Sequence, residues 1–191
     1  SEPALIEFEW AGDTIKHIGS IVHRAIQCIA EQGIAKWTTE RINAEQQGFE
    51  NALKQLNVPS HERIDAVEYI VKALTNMITD ERGQWILSIK HKHQQNEYPI
   101  SGIINDKLSN AVLDRTFVDA KNDRWIIDYK ISRHDGKNSD SFLDHEQERY
   151  KKQLEKYGSL MKQLGEKNIK LGLYFPLLQG WREWKQPKKG F

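Results

Sequence analysis

The segment WIIDYKISRHDGK, Trp125–Lys137, is an apolar run that ends on a carboxylate and an ammonium two residues apart, Asp128 and Lys130. Strand side chains alternate faces, so Asp128 and Lys130 share one face and Tyr129 takes the other. Just upstream, AVLDRTFVDA (111–120) has the same β-branched and aromatic content, with Val112, Asp114 and Thr116 on one face. The KND at 121–123 predicts a hairpin turn between the two strands. Such a turn sets Asp114 beside Asp128 at one end of a sheet. Two carboxylates that close repel unless a proton or cation lies between them. Both offer only oxygen acceptors, which suits Mg²⁺ or Mn²⁺. Taken alone, the trio is better explained as a hairpin salt bridge from Lys130 to either aspartate, so the rest of the chain must decide.

Working outward, residues 14–32 predict a helix, because Ile15, Ile18, Val22, Ile26 and Ile29 recur at spacings of three and four. Residues 40–56 repeat the pattern with Ile42, Phe49, Leu53 and Leu56, and Ser60 is placed to cap a third helix through Ile78. QWILSIKHKH (84–93) and EYPISGIINDKLSN (97–110) read as strands ahead of the hairpin. Residues 140–165 predict a long helix, IKLGLYFPLL (169–178) a buried strand ended by Pro176, and QGWREW (179–184) an edge strand. The expected architecture is α/β: a helical portion over about 1–80, then a mixed central sheet flanked by helices over about 84–185, all one domain.

With 191 residues, 38% hydrophobic and 29% charged, the chain can bury a single core. Its net charge of +1 excludes a global basic field, so any nucleic-acid footprint must be local. A lone cysteine, Cys28, excludes an internal disulfide framework and a four-cysteine zinc or iron–sulfur site. No apolar run spans a bilayer and the N-terminus lacks a secretory pattern, so the expected setting is cytoplasmic, without a membrane partner. The opening residues read as a domain cut from a longer protein.

VLD (112–114) followed by IIDYK (126–130) resembles the signature of PD-(D/E)XK nucleases. GSIVHRA (19–25) resembles the G-x-x-x-H-R helix of the nuclease domain at the C-terminus of RecB- and AddA-type helicase–nucleases. QLEKY (153–157) resembles that group's Q-x-x-x-Y helix, and GLYFP (172–176) the strand after it. The chain departs from the family in having Ala111 where a glycine is frequent and Leu113 in place of the literal proline. The resemblance implies a restriction-endonuclease-like core and metal-dependent DNA hydrolysis of exonuclease type, in end processing and recombinational repair. It implies Mg²⁺ or Mn²⁺ held by His23, Asp114, Asp128 and the carbonyl of Tyr129, with Lys130 completing the catalytic set beside Asp114 and Asp128. It also implies DNA as partner, a UvrD/Rep-like helicase domain in the same parent chain, and a second subunit. The rival reading is a catalytically silent nucleic-acid-binding or docking module of a helicase complex.

The residues themselves leave alternatives beside these roles. His23 lies about 100° from the centre of its helix's apolar stripe, where a histidine bonded to a backbone carbonyl is also expected. Glu146, Tyr150, Gln153 and Tyr157 form one stripe on the long helix, equally an amphipathic boundary. By resemblance, Gln153 and Tyr157 support the site and touch the nucleic-acid backbone, and Glu146 is an outer partner of the metal. Glu97 opens a strand where the family has an acid, though a solvated strand end explains it as well. His91 and His93 would share a strand face but have no third ligand in view. Arg133, Lys137, Arg149 and Lys152 are the local cations suited to phosphate contacts, or else a solvated face.

Overall fold

Every residue of β3 (Arg124–Tyr129) is buried, which requires layers on both of its faces. The computed structural model describes residues 12–132 and 139–188. β3 lies at the centre of a five-stranded sheet in the order β1 (Lys92–Ile104), β2 (Lys107–Val118), β3, β4 (Ile169–Phe175) and β5 (Gly180–Lys185). β3 and β4 run parallel and the other neighbours antiparallel. A parallel pair needs a crossover, and the helix Ser139–Gln163 lies within it.

Alternation along β3 distributes the core. Trp125, Ile127 and Tyr129 join a cluster with Val22 and Ile26 of α1 (Gly12–Gln32). After α2 (Thr39–Ala44) and α3 (Gln46–Gln55), α4 (Ser60–Thr79) adds Ile70, Leu74 and Met77 to it. On the opposite face Ile126 packs with Leu143, Leu154 and Leu160 of the crossover helix. A mixed sheet between helical layers, preceded by a helical N-terminal portion, is the α/β architecture read from the sequence and is consistent with a restriction-endonuclease-like core.

Three local expectations are corrected. Residues 40–56 are two helices, because the backbone at Glu45 ends α2 and starts α3. Pro59, not Ser60, stands at the cap position of α4. The strand expected over 84–93 begins as α5 (Glu81–Ile86): Asp80 caps it through Gly83 N–H at 3.2 Å, and β1 starts only at Lys92. A short apolar run fits either element, and the cap decides. Gly83 is required there, since a Cβ would overlap the Met77 carbonyl. The hairpin turn lies where expected: Asp119 Oδ1 accepts from the N–H groups of Lys121 and Asp123, and Oδ2 from Trp125 Nε1. The long crossover helix is α6 (Ser139–Gln163). Among the described residues no helix is long and apolar enough to cross a membrane.

Candidate active site

The β2–β3 ladder pairs Arg115 with Ile127, and one residue further along the two strands stand Asp114 and Asp128. There a side chain takes over from the ladder: Asp114 Oδ2 accepts the Tyr129 N–H at 2.8 Å. β3 stays anchored on its other edge, where Lys130 N–H donates to the Tyr174 carbonyl at 2.9 Å. Burial pushes the Asp114 carboxyl well above the usual carboxylate range, and the charge of Asp128 and a hydrogen bond with its carboxyl push it further. The Tyr129 N–H opposes the shift, while the charge of Glu97 adds to it.

Lys130 Nζ lies 2.7 Å from Asp128 Oδ2 and 4.1 Å from the centre of the Tyr150 ring. Burial disfavours its charge, but the attraction of Asp128 outweighs this and raises the ammonium's pKa. The hairpin salt bridge weighed from sequence is therefore present, at the same point as the paired carboxyls.

α1 brings His23 to this end of the sheet. Its Nε2–H donates to the Tyr129 carbonyl at 2.8 Å, and Nδ1 lies 3.8 Å from Asp114 Oδ1. Of the two sequence alternatives for His23, the bond to a backbone carbonyl is the one present, and that carbonyl belongs to the residue between Asp128 and Lys130. Around Gly19, one turn earlier, a Cβ would meet nothing within 4 Å, leaving the approach open.

From α6, Tyr150 reaches Lys130, and Gln153 Nε2 donates to the Tyr157 hydroxyl at 2.6 Å. Burial raises the Tyr157 phenol, and Asp128, Lys130 and Asp114 are its charged neighbours. Glu146 is 6% exposed; its Oε2 is buried without a hydrogen-bond partner among the described residues, and Oε1 faces Arg149 at 3.5 Å. Lys152 is exposed and about 130° around α6 from the centre of this stripe, so the fold does not bring it to the cluster. Arg133 and Lys137 lie outside the described residues. His91 and His93 do not form a pair: His91 Nε2–H donates to the Trp85 carbonyl and its ring stacks on Phe117, while His93 is exposed.

Sequence reading underweighted two neighbours. Glu97, in a left-handed backbone conformation at φ 47°, lies close enough to act on Asp114. It lies inside β1 and not at the strand start expected from sequence, and the family's acid at this position was the signal for it. Arg24, next to His23, lines with Glu97 and Gln27 a cavity of about 590 Å³ opening onto the imidazole.

Among the described residues no three His, Cys, Asp or Glu side chains form a preassembled ligand cluster, and the His23 Nε2–H is engaged by Tyr129. The donor set nevertheless fits a hard divalent cation. Two carboxyls touch in a buried place, where only a proton or a cation relieves them, and a carbonyl and an imidazole adjoin them. The unpartnered Glu146 oxygen leaves one more acceptor available on α6.

No curated protein matches the chain. Among solved structures, "Crystal structure of SSO0001" is similar to it at 14% identity and a TM-score of 0.33, over 88% of this chain and 77% of that one. A family model matches residues 9–187, which include α1, the whole sheet and α6. By that match the chain belongs to the PD-(D/E)XK nuclease superfamily.

Proposed function

We propose that this chain is a Mg²⁺- or Mn²⁺-dependent deoxyribonuclease of RecB/AddA type, degrading DNA from its ends in recombinational repair. The observation that carries this reading is the meeting of His23, Asp114, Asp128 and the Tyr129 carbonyl at the end of β3, with Lys130 beside them. His23, Asp114, Asp128 and the Tyr129 carbonyl would hold the cation. A divalent cation supplies Lewis acidity toward water and toward the phosphodiester oxygens.

The protein's own groups do the remaining work. Lys130 keeps its charge because Asp128 outweighs burial, so a fixed cation faces the phosphate throughout the reaction. The Tyr150 ring beneath it narrows the positions the ammonium can take. Gln153 and Tyr157 act as one hydrogen-bonded unit on the backbone side of the substrate, with Arg149, Arg133 and Lys137 as further phosphate contacts. Glu146, whose buried Oε2 has no partner among the described residues, would serve as an outer acceptor beside the bound cation. No serine or cysteine nucleophile is needed, since positioning and electrostatics carry phosphoryl chemistry. The DNA-unwinding step is assigned to a helicase domain of the parent chain and to a partner subunit.

End-labelled linear DNA and closed circular DNA, each incubated with Mg²⁺ or with chelator, test this. Loss of linear DNA alone, and only with the metal, is the expected result. Cleaved circles would overturn the exonuclease assignment, and cleavage in chelator the metal dependence. The engagement of His23 by the Tyr129 carbonyl favours one other reading, a silent DNA-binding or docking module. DNA binding with no cleavage in Mg²⁺ or Mn²⁺ would select it.

A further inference from the structure

Arg115 is fully buried next to Asp114, and among the described residues no carboxylate pairs with its guanidinium. A buried charge without an ion-pair partner is costly, and an apolar side chain of similar size would fill the same space at lower cost. The guanidinium therefore needs another reason. Four neutral acceptors hold it from two directions. The Ile86 carbonyl at 2.7 Å and the Ser88 carbonyl at 3.5 Å come from the end of α5 and the turn after it. The side-chain oxygens of Asn96 at 2.8 Å and Gln94 at 2.9 Å come from β1. Asp114 itself has little support from the sheet. Leu113 pairs with Tyr98 and Arg115 with Asn96, so Asp114 and Glu97 fall in a gap of the β1–β2 ladder. On the other side the β2–β3 ladder begins at Arg115.

We propose that Arg115 is a positioning residue: its guanidinium fixes where Asp114 stands and so sets the geometry of the cation site. The inference rests on the nuclease reading above and adds to it a residue that touches neither cation nor DNA. Arg115 is the residue beside Asp114 that both neighbouring strands hold, through Asn96 on one side and Ile127 on the other. A rigid planar fork that grips β1 and the end of α5 together leaves this anchor one position, and Asp114 follows it by one peptide unit. The Tyr129 phenol is close enough to act on the same guanidinium, and the Tyr129 N–H is the group that Asp114 accepts. Lysine cannot take over this task. An ammonium is a single point with three donors, so it cannot serve acceptors on two sides at once and leaves buried oxygens unpaired.

The test compares the wild type with Arg115→Lys, Asn96→Ala and Phe117→Leu by Mn²⁺ titration calorimetry, by initial rates over a range of linear DNA concentrations, and by urea unfolding. Arg115→Lys is expected to bind Mn²⁺ about tenfold more weakly or worse and to lower kcat by about 10- to 100-fold, with KM little changed. Asn96→Ala releases one arm of the fork without placing a new group in the core. It should move both quantities in the same direction, which covers the case that the lysine variant does not fold. Phe117→Leu loosens the same core, its ring centre lying 5.5 Å from the guanidinium, and takes none of the four acceptors away. It should lower stability and leave Mn²⁺ affinity and kcat at wild-type values. Wild-type Mn²⁺ affinity and kcat in Arg115→Lys and Asn96→Ala would overturn the inference and spare the nuclease reading. Equal losses in Phe117→Leu would overturn it too, since a loosened core would then explain all three variants. A wild type that cleaves nothing, with the Mn²⁺ loss of Arg115→Lys intact, would sink the nuclease reading and keep the positioning role.

Discussion

His23 Nε2–H donates to the carbonyl oxygen of Tyr129 at 2.8 Å, tying the middle of α1 to the residue that separates Asp128 from Lys130. As a structural bond this is modest, because the histidine side chain is 31% exposed and a neutral hydrogen bond contributes about 0.5–1.5 kcal/mol. As part of a cation site it would be indispensable. His23→Ala is therefore expected to lower cleavage of linear DNA by about 100-fold or more while costing about 1 kcal/mol of stability. Initial rates and urea unfolding on the same preparation check this. A stability loss of several kcal/mol with proportionate activity would assign His23 to packing alone.

Among the described residues, Lys130 is the ammonium held against the paired carboxyls, with Asp128 at 2.7 Å. Lys130→Ala should lower kcat about 100- to 1,000-fold, the range found for losing one preorganised electrostatic group. DNA affinity in chelator should fall far less. Asp128→Ala should be as inactive, and it also strips Lys130 of the neighbour that offsets its burial, so the ammonium's pKa should fall. Full activity of either variant at matched Mg²⁺ would contradict the assignment.

Gly172, in β4, has no room for a side chain. A Cβ there would overlap the Trp181 ring from β5 and come within 3.0 Å of Ile127 Cδ1. Gly172→Ala is expected to destabilise the fold by about 1–3 kcal/mol, as overpacking does. The cost should shrink in a Trp181→Leu background, because the ring supplies most of the clash. Urea midpoints for the two single variants and the double variant measure the coupling.

Much of this was legible in the local pattern. Asp128, Lys130 and the KND turn are neighbours in sequence, so alternation and turn chemistry alone predict their shared strand end. Asp114 follows from the same hairpin. The α5 boundary was not legible, because Trp85 and Ile86 satisfy a strand pattern and a core-facing helix turn equally, and Asp80 decides through one hydrogen bond. Arg115 shows the other limit. It is fully buried beside Asp114 and satisfied by the Ile86 carbonyl, Asn96 and Gln94, partners from 19 to 29 residues away. Nothing in a strand's periodicity announces a buried guanidinium.

Asp114 links the site to stability. Burial, and then Asp128, raise its folded pKa above the unfolded value of about 3.9. Between those two values the native state binds more protons than the unfolded chain, so stability falls as pH rises through that window. Above it the penalty is complete in the metal-free protein. Asp114→Asn removes the charge while keeping an oxygen to accept the Tyr129 N–H. In chelator this variant should melt above the wild type, with a larger gap at pH 8 than at pH 4. Mg²⁺ or Mn²⁺ should raise the wild-type Tm at pH 8, narrow the gap, and leave the variant unmoved, because a cation replaces the proton only where the carboxylate exists. The same variant should cleave DNA at least about 100-fold more slowly. Melting curves over pH 4–8, with and without metal, decide the matter: a wild type as stable as Asp114→Asn in chelator at pH 8 would mean that the two carboxyls are not strained against each other. The ground for placing a cation between them would then be lost.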